Sequence, residues 1–183
     1  MLQGWHIGVV IPAYNEEEHV ASVIEGLPSF VDIAVVVDDG SDDATATQVK
    51  NANCTCELTV LDGGGKGVGS AIDMGHRHLV STFNSRFISV VMAGDGQMNP
   101  NDMESLLEPI FKNQADHVKG NRLQHPGGFN RMPRYRQRAS KVLSFFTTLA
   151  AGQPISDPQC GYTATSSEVL RQWDWQRSWS GYG

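Results

Sequence analysis

Cysteine is scarce in this chain, with only Cys54, Cys56 and Cys160 among 183 residues. An odd number leaves one thiol over in any pairing scheme, and Cys54-x-Cys56 has no second pair with which to build a zinc site, so the expectation is three reduced thiols in a cytosolic protein. Long apolar runs are also missing. None approaches the roughly 20 residues that span a bilayer, and Met1-Leu2-Gln3-Gly4-Trp5-His6 has no basic leader-like region and runs straight into an apolar stretch. Acidic residues are absent between His117 and Ser156, where Lys119, Arg122, Arg131, Arg134, Arg136, Arg138 and Lys141 supply half of the 14 basic residues. Acidic partners for i,i+4 pairing are therefore lacking in that segment. In a chain of net charge −6, a local cationic stretch points to a specific anionic ligand and argues against nucleic acid, whose partners are basic over a whole domain. Repeats and low-complexity tracts are absent too.

What is present is the makeup of one ordinary globular domain, 40% hydrophobic and 19% charged. The pattern along it is strand followed by helix. His6 to Pro12 is β-branched and closed by proline. Ala13-Tyr14-Asn15 follows, and Asn15 with Glu16, Glu17 and Glu18 predicts a cap and acidic first turn for a helix carrying Val20, Val23, Ile24 and Leu27. Asp32 to Val37 is a second apolar strand, ending in Asp38-Asp39-Gly40-Ser41-Asp42-Asp43, where Ser41 or Asp42 is placed to cap the next helix. Glu57 to Leu61 is a third strand. It enters the glycine-rich Asp62-Gly63-Gly64-Gly65-Lys66-Gly67 and a helix running to about His78 or Leu79.

Phe87 to Met92 is the fourth strand and ends in Gly94-Asp95-Gly96-Gln97. Two glycines flanking a carboxylate let the chain turn sharply and let a bulky ligand approach Asp95 and Gln97. Asn99-Pro100 opens a helix to Phe111, Ala115 to Gly120 reads as a strand, and an amphipathic helix follows Pro133. Arginine in the first turns of that helix opposes its dipole, which favours a ligand role for those side chains. Ser156 to Thr165 is a loop and short strand, and Ser167 starts a last helix. Strand and helix in alternation, with carboxylates at the strand ends, predict an α/β fold with a mostly parallel sheet binding its ligand at the sheet edge.

The glycine loop is neither of two familiar phosphate binders. Gly67 follows Lys66 where a P-loop requires Ser or Thr, and Val68 stands where the dinucleotide fingerprint requires its third glycine. It is expected to act as a generic anion site, with free backbone N–H groups and one lysine at a helix start.

In this order and spacing, Ile11-Pro12-Ala13-Tyr14-Asn15-Glu16-Glu17, Val37-Asp38-Asp39-Gly40-Ser41-x-Asp43, Gly65-Lys66-Gly67, Gly94-Asp95-Gly96-Gln97 and Asp157-Pro158-Gln159-x-Gly161-Tyr162 resemble family 2 glycosyltransferases of the GT-A fold, a Rossmann-like nucleotide-diphospho-sugar transferase fold. The dolichol-phosphate mannosyltransferase-like branch is the most similar. The resemblance implies transfer of a sugar from a GDP-mannose or UDP-glucose type of donor to a polyprenyl phosphate, with inversion. It implies that Pro12, Ala13 and Tyr14 line the base pocket, that Asp39 binds the base and Glu16 faces the nucleotide, that Lys66 and Gly67 belong to the donor site, and that Asp95 and Gln97 hold Mg2+ or Mn2+ on the diphosphate. Arg122, Arg134 and Arg138 are the residues expected to bind the acceptor phosphate.

Ala93 departs from the pattern, because the family's metal motif usually reads Asp-x-Asp. The expected place of work is the cytoplasm, or the cytoplasmic face of a membrane. Residues 1–183 are expected to form one catalytic domain, cut short at its C-terminal end, where three of the four tryptophans gather. Two alternatives stand beside this reading. One is a family 2 transferase acting on a sugar hydroxyl, which would need a base such as Asp157. The other is a non-catalytic nucleotide-sugar-binding remnant.

Overall fold

The computed structural model describes residues 1–121, 144, 146–150, 152, 157 and 160–175. It separates into two compact units, Met1–Val118 with Tyr162–Gly183, and Lys119–Gly161. The first unit is built on a six-stranded sheet. Its strands are β1 (His6–Ala13), β2 (Ile33–Asp38), β3 (Glu57–Asp62), β4 (Phe87–Val91), β5 (His117–Lys119) and β6 (Thr163–Ser166), and its helices are α1 (Val20–Glu25), α2 (Thr45–Asn51), α3 (Val68–Thr82), α4 (Met103–Phe111) and α5 (Ser167–Gln172). The spatial order is β3-β2-β1-β4-β6-β5. β3, β2, β1 and β4 run parallel, and β6 lies antiparallel to β4.

Register explains how the ligand-like residues of the sequence come together. Ala13 pairs with Asp38, and Asp38 with Asp62, so three strands end level with one another. β1 and β2 are apolar to their last residues because both faces are covered, as in a parallel sheet, whereas β3 at the edge is only partly covered. β4 is buried throughout, and Ile7, Val9, Val10 and Ile11 of β1 are inaccessible to solvent. Alternation along β1 sends Val10 toward α3, in a cluster with Val35, Val37, Ala71, Leu79 and Phe87.

The contact of α3 with β1 depends on a missing side chain. A Cβ on Gly75 would lie 2.3 Å from Val10 Cγ1, and Val10 is stiff at χ1 and has no room to yield. Gly75→Ala is therefore expected to destabilise the fold by about 1–3 kcal/mol, after a helix-propensity gain of roughly 1 kcal/mol is offset. The urea midpoint checks this, and an unchanged or raised midpoint would contradict such close packing.

His76, on the same helix, is buried and shares a 2.9 Å hydrogen bond between its Nδ1 and Ser89 Oγ of β4. Burial, with a small contribution from the charge of His117, pushes its pKa down from 6.5 to about 4. An unfolded chain takes up a proton here as pH falls through 6.5, while the folded chain resists until about pH 4. Stability is thus lost on acidification across that window, by up to about 3 kcal/mol from this group. A His76 ring proton whose NMR shift stays flat from pH 7.5 to about 5 is the expected result. Titration near pH 6.5 would show the ring to be solvated.

Several expectations are corrected. Asn15 does not cap α1. It adopts φ +55°, and Glu16 to Glu18 form a turn ahead of a helix that starts at Val20, with the Glu16 carbonyl accepting from His19 and Val20 N–H. Neither Ser41 nor Asp42 caps α2. The cap position is Ala44, and the Asp43 carboxylate just before it accepts from Thr45 N at 2.9 Å and from the Thr45 hydroxyl. Cys54 and Cys56 are joined as a disulfide, their Cα atoms 5.3 Å apart across a bend at Thr55 and Cys56 just before β3; Cys160 remains a buried free thiol. Trp175, one of the three tryptophans gathered near the end of the sequence, turns back onto α3. Arg77 stacks 5.3 Å from its ring and donates to its carbonyl.

Candidate functional site

The loops that leave β1, β2, β3 and β4 all emerge at one edge of the sheet, where parallel α/β folds bind ligands. They are also tied to one another. Asp39 N donates to the Ala13 carbonyl at 2.9 Å, Gly63 N to Asp38 at 2.8 Å, and Gly94 N to Pro12 at 3.1 Å. Pro12 and Ala13 are buried at the end of β1, whereas Tyr14, the next residue, is 57% exposed. An aromatic ring thus stands out from a rigid floor.

Asp39 is the best-defined charge of the site. It is 7% exposed and accepts from Lys66 N at 2.9 Å through Oδ1 and from Gly67 N at 2.7 Å through Oδ2. A carboxylate has about four acceptor positions, so two remain for a ligand's N–H groups. This geometry corrects the anion-site expectation for the glycine loop. The N–H groups of Lys66 and Gly67 point to Asp39 and that of Gly64 to Asp62 Oδ1 at 2.9 Å, so carboxylates at the ends of β2 and β3 already occupy these donors. The loop is a clamp for Asp39. Its glycines are needed for that role: Gly64, Gly65 and Gly67 have positive φ, and a Cβ on Gly63 would sit 2.8 Å from Asp39 Oδ1. The Lys66 side chain is exposed beside the clamp.

Across the site, Asp95 is half-buried in the turn after β4, and its Oδ1 accepts from Gln97 N at 3.0 Å. The same turn passes His19, whose Cβ lies 3.8 Å from the place a Cβ on Gly96 would occupy. Glu16 faces Asp95 closely enough to feel it. Its pKa is raised first by partial desolvation and then by the charges of Asp95 and Asp43, with His19 acting in the opposite direction. Among the described residues no three His, Cys, Asp or Glu side chains converge as a metal cage. One carboxylate with a free oxygen and a neighbouring amide fit a cation held jointly by the protein and by a ligand's oxygens.

Asn15, Ser41, Asp43 and Thr45, which the sequence reading left out of the site, organise its rim. Each joins the loop after β1 to the loop after β2 or braces that junction. Close spacing of Asp, Ser and Thr with Asn-Glu-Glu was the available signal, since such side chains bond readily to nearby backbone. Arg122, Arg134 and Arg138 lie outside the described residues, as do Pro158 and Gln159.

Known proteins place this geometry in context. The chain is 31% identical over 180 residues to the UDP-N-acetylglucosamine–dolichyl-phosphate N-acetylglucosaminyltransferase of Methanococcus voltae, covering 90% of this chain and 71% of the relative. An uncharacterized protein of Methanocaldococcus jannaschii is 29% identical over 168 residues, covering 91% of this chain and 67% of that one. Among solved structures, glucosyl-3-phosphoglycerate synthase from Mycobacterium tuberculosis in complex with Mn2+ and uridine-diphosphate-glucose superposes with a TM-score of 0.61 at 25% identity, over 90% of this chain and 57% of that one. The chain therefore spans little more than half of the solved relative's length. That likeness bears out the GT-A expectation for the fold. Glycosyl transferase family 2 matches residues 8–173, nearly the whole chain, and the protein belongs to that family.

Proposed function

We propose that the protein transfers a sugar from a nucleotide diphosphate sugar, of the UDP or GDP type, to a polyprenyl phosphate, with inversion at the anomeric carbon and with Mg2+ or Mn2+ on the diphosphate. The observation that carries the donor half is the clamped Asp39, tied through its N–H to the Ala13 carbonyl next to the exposed Tyr14, with Asp95 at the end of β4 on the same sheet edge. Support for the acceptor half comes from the relative named for dolichyl phosphate and from the acid-free arginine segment.

In this reading Pro12 and Ala13 floor the base pocket, Tyr14 stacks on the base, Asp39 accepts its N–H groups, and Lys66 offsets phosphate charge. Glu16 faces the nucleotide. Asp95 and Gln97 hold the cation, which when bound neutralises the departing nucleoside diphosphate. An oxygen of the acceptor phosphate attacks the anomeric carbon as the bond from that carbon to the diphosphate oxygen breaks. A phosphate monoester is already ionised at neutral pH, so no strong protein base is required. A hydroxyl acceptor would need one, and Asp157, the residue in question, is only 3% exposed. Arg122, Arg134 and Arg138 bind and orient the phosphate. Because the acceptor sits in a bilayer, the protein works at a membrane surface; among the described residues no helix is long and apolar enough to cross one.

Alanine at Arg122, Arg134 or Arg138 tests the acceptor half. Loss of a charge-assisted contact worth about 1.5–3 kcal/mol lowers kcat/KM for a short polyprenyl phosphate by roughly 10- to 150-fold, with donor affinity unchanged. Three variants that all transfer at the wild-type rate would move the hydroxyl-acceptor reading ahead.

A further inference from the structure

Between the loops after β1 and β2 lies a set of hydrogen bonds that no donor contact requires. Ser41 is at its centre. Its hydroxyl donates to Asp38 Oδ1 at 2.6 Å, its N–H reaches the same oxygen at 3.0 Å, and its Oγ accepts from Asn15 N at 3.0 Å. Asn15 answers by accepting from Asp42 N through Oδ1 at 2.9 Å. Further along, Glu16 N donates to Thr45 Oγ1 at 2.8 Å, Glu17 N to Asp43 Oδ2 at 3.1 Å, and Ala44 N to Glu17 Oε2 at 2.9 Å. Two loops far apart in sequence are thus laced together residue by residue.

Ser41 has a more particular effect than general bracing. A hydroxyl has one proton and two lone pairs. With the proton directed at Asp38, a lone pair is left facing Asn15 N–H, and the two groups are matched only in that order. Asn15 is in the left-handed region, φ +55°, which asparagine tolerates at some cost and keeps when its polar groups are pinned. The kink at Asn15 comes directly after the exposed Tyr14, itself next to the buried Ala13, and so fixes the chain on the far side of the ring. Asp38 is the last residue of β2 and adjoins Asp39. The Ser41 hydroxyl therefore joins the two halves of the pocket, the aromatic wall on one loop and the clamped carboxylate on the other.

We infer that Ser41 is a positioning residue for the nucleotide. It touches no ligand; by ordering its proton toward Asp38 it locks the Asn15 kink and sets the distance between the Tyr14 ring and the Asp39 carboxylate. The inference rests on the nucleotide-binding reading above and adds to it a residue whose loss loosens the pocket without unfolding the protein. Donor recognition in this chain then depends on a hydroxyl two residues beyond the carboxylate that reads the base.

Titration of the full chain with UDP and with GDP, in the presence of Mn2+, tests this on the wild type, Ser41→Ala, Ser41→Thr and the distant control Ser81→Ala, whose hydroxyl only bonds the His78 carbonyl. Ser41→Ala is expected to weaken nucleotide binding about tenfold, as loss of one organising hydrogen bond implies, with a Tm within about 2 °C of wild type. Ser41→Thr restores affinity to within roughly twofold, and Ser81→Ala leaves it unchanged. Amide exchange at Asn15 in the free protein is expected to quicken in Ser41→Ala alone, a readout independent of any ligand. The inference is overturned if Ser41→Ala binds as tightly as wild type, or if its lost affinity merely follows a lost Tm. Wild-type protein that binds neither nucleotide would contradict the donor reading itself, and that result is separate from an insensitive Ser41→Ala.

Discussion

Asp39→Asn is expected to weaken binding of the donor nucleotide by about 10- to 100-fold and to lower folding stability by roughly 1–3 kcal/mol. Both effects arise from one atom. The carboxylate accepts Lys66 N–H with one oxygen and Gly67 N–H with the other. An amide of the same shape can accept only one of these and turns an NH2 toward the second, leaving a donor facing a donor in a buried place. The clamp opens on one side, and the acceptor left for the base is weaker and no longer charged. Calorimetric titration with UDP and GDP gives the first effect, and urea unfolding gives the second. If Asp39→Asn lost stability but held nucleotide affinity, Asp39 would be a loop brace only and the base would be read elsewhere.

Asp95→Ala is expected to abolish the gain in donor affinity that Mn2+ confers, and with it at least about 100-fold of any transfer activity. Asp95 is the only carboxylate in the Gly94-to-Gln97 turn, so its removal leaves the neutral Gln97 amide as that turn's sole side-chain ligand. Glu16 cannot replace it without cost, since its own ionisation is already disfavoured by partial burial. The reverse change provides a check in the same assay. Ala93→Asp places a second carboxylate beside Asp95 and is expected to tighten Mn2+ binding in the presence of UDP. Unchanged Mn2+ dependence in Asp95→Ala, or no gain in Ala93→Asp, would remove the cation from this turn.

The strands were legible because a buried parallel sheet leaves an unmistakable trace, runs such as Val9-Val10-Ile11 and Val35-Val36-Val37 bounded by turn residues. The carboxylates at their ends were legible for a related reason. A carboxylate directly after such a run, as in Val37-Asp38-Asp39, has few structural explanations. Which atoms those carboxylates hold could not be read from spacing. Asp39 and the Lys66–Gly67 backbone are 27 and 28 residues apart, and only the level register of β2 and β3 brings them together. The glycine loop therefore looked like an open anion site when its donors were already taken.

Local capping misled in the same way. Asn15 followed by three glutamates has the composition of a helix start, but tertiary bonds to Ser41 and Asp42 draw Asn15 into a left-handed kink and delay α1 to Val20. Neither Ser41 nor Asp42 caps α2, whose cap position is Ala44: Ser41 is engaged with Asp38 and Asn15, and Asp42 lends its N–H to Asn15. The Cys54–Cys56 pair was misread from parity alone, since one odd thiol among three says nothing about the other two.

Sugar transfer itself is measured most directly by incubating the protein with Mn2+, a short polyprenyl phosphate and, in turn, radiolabelled UDP-N-acetylglucosamine, UDP-glucose and GDP-mannose, and extracting the lipid phase. Label is expected in the lipid phase from one of these donors, as a sugar joined through phosphate to the polyprenyl chain, dependent on the divalent cation and lost in Asp95→Ala. Donor binding with no lipid-linked product from any of the three, or label passing only to a hydroxyl acceptor, would contradict sugar transfer to a polyprenyl phosphate.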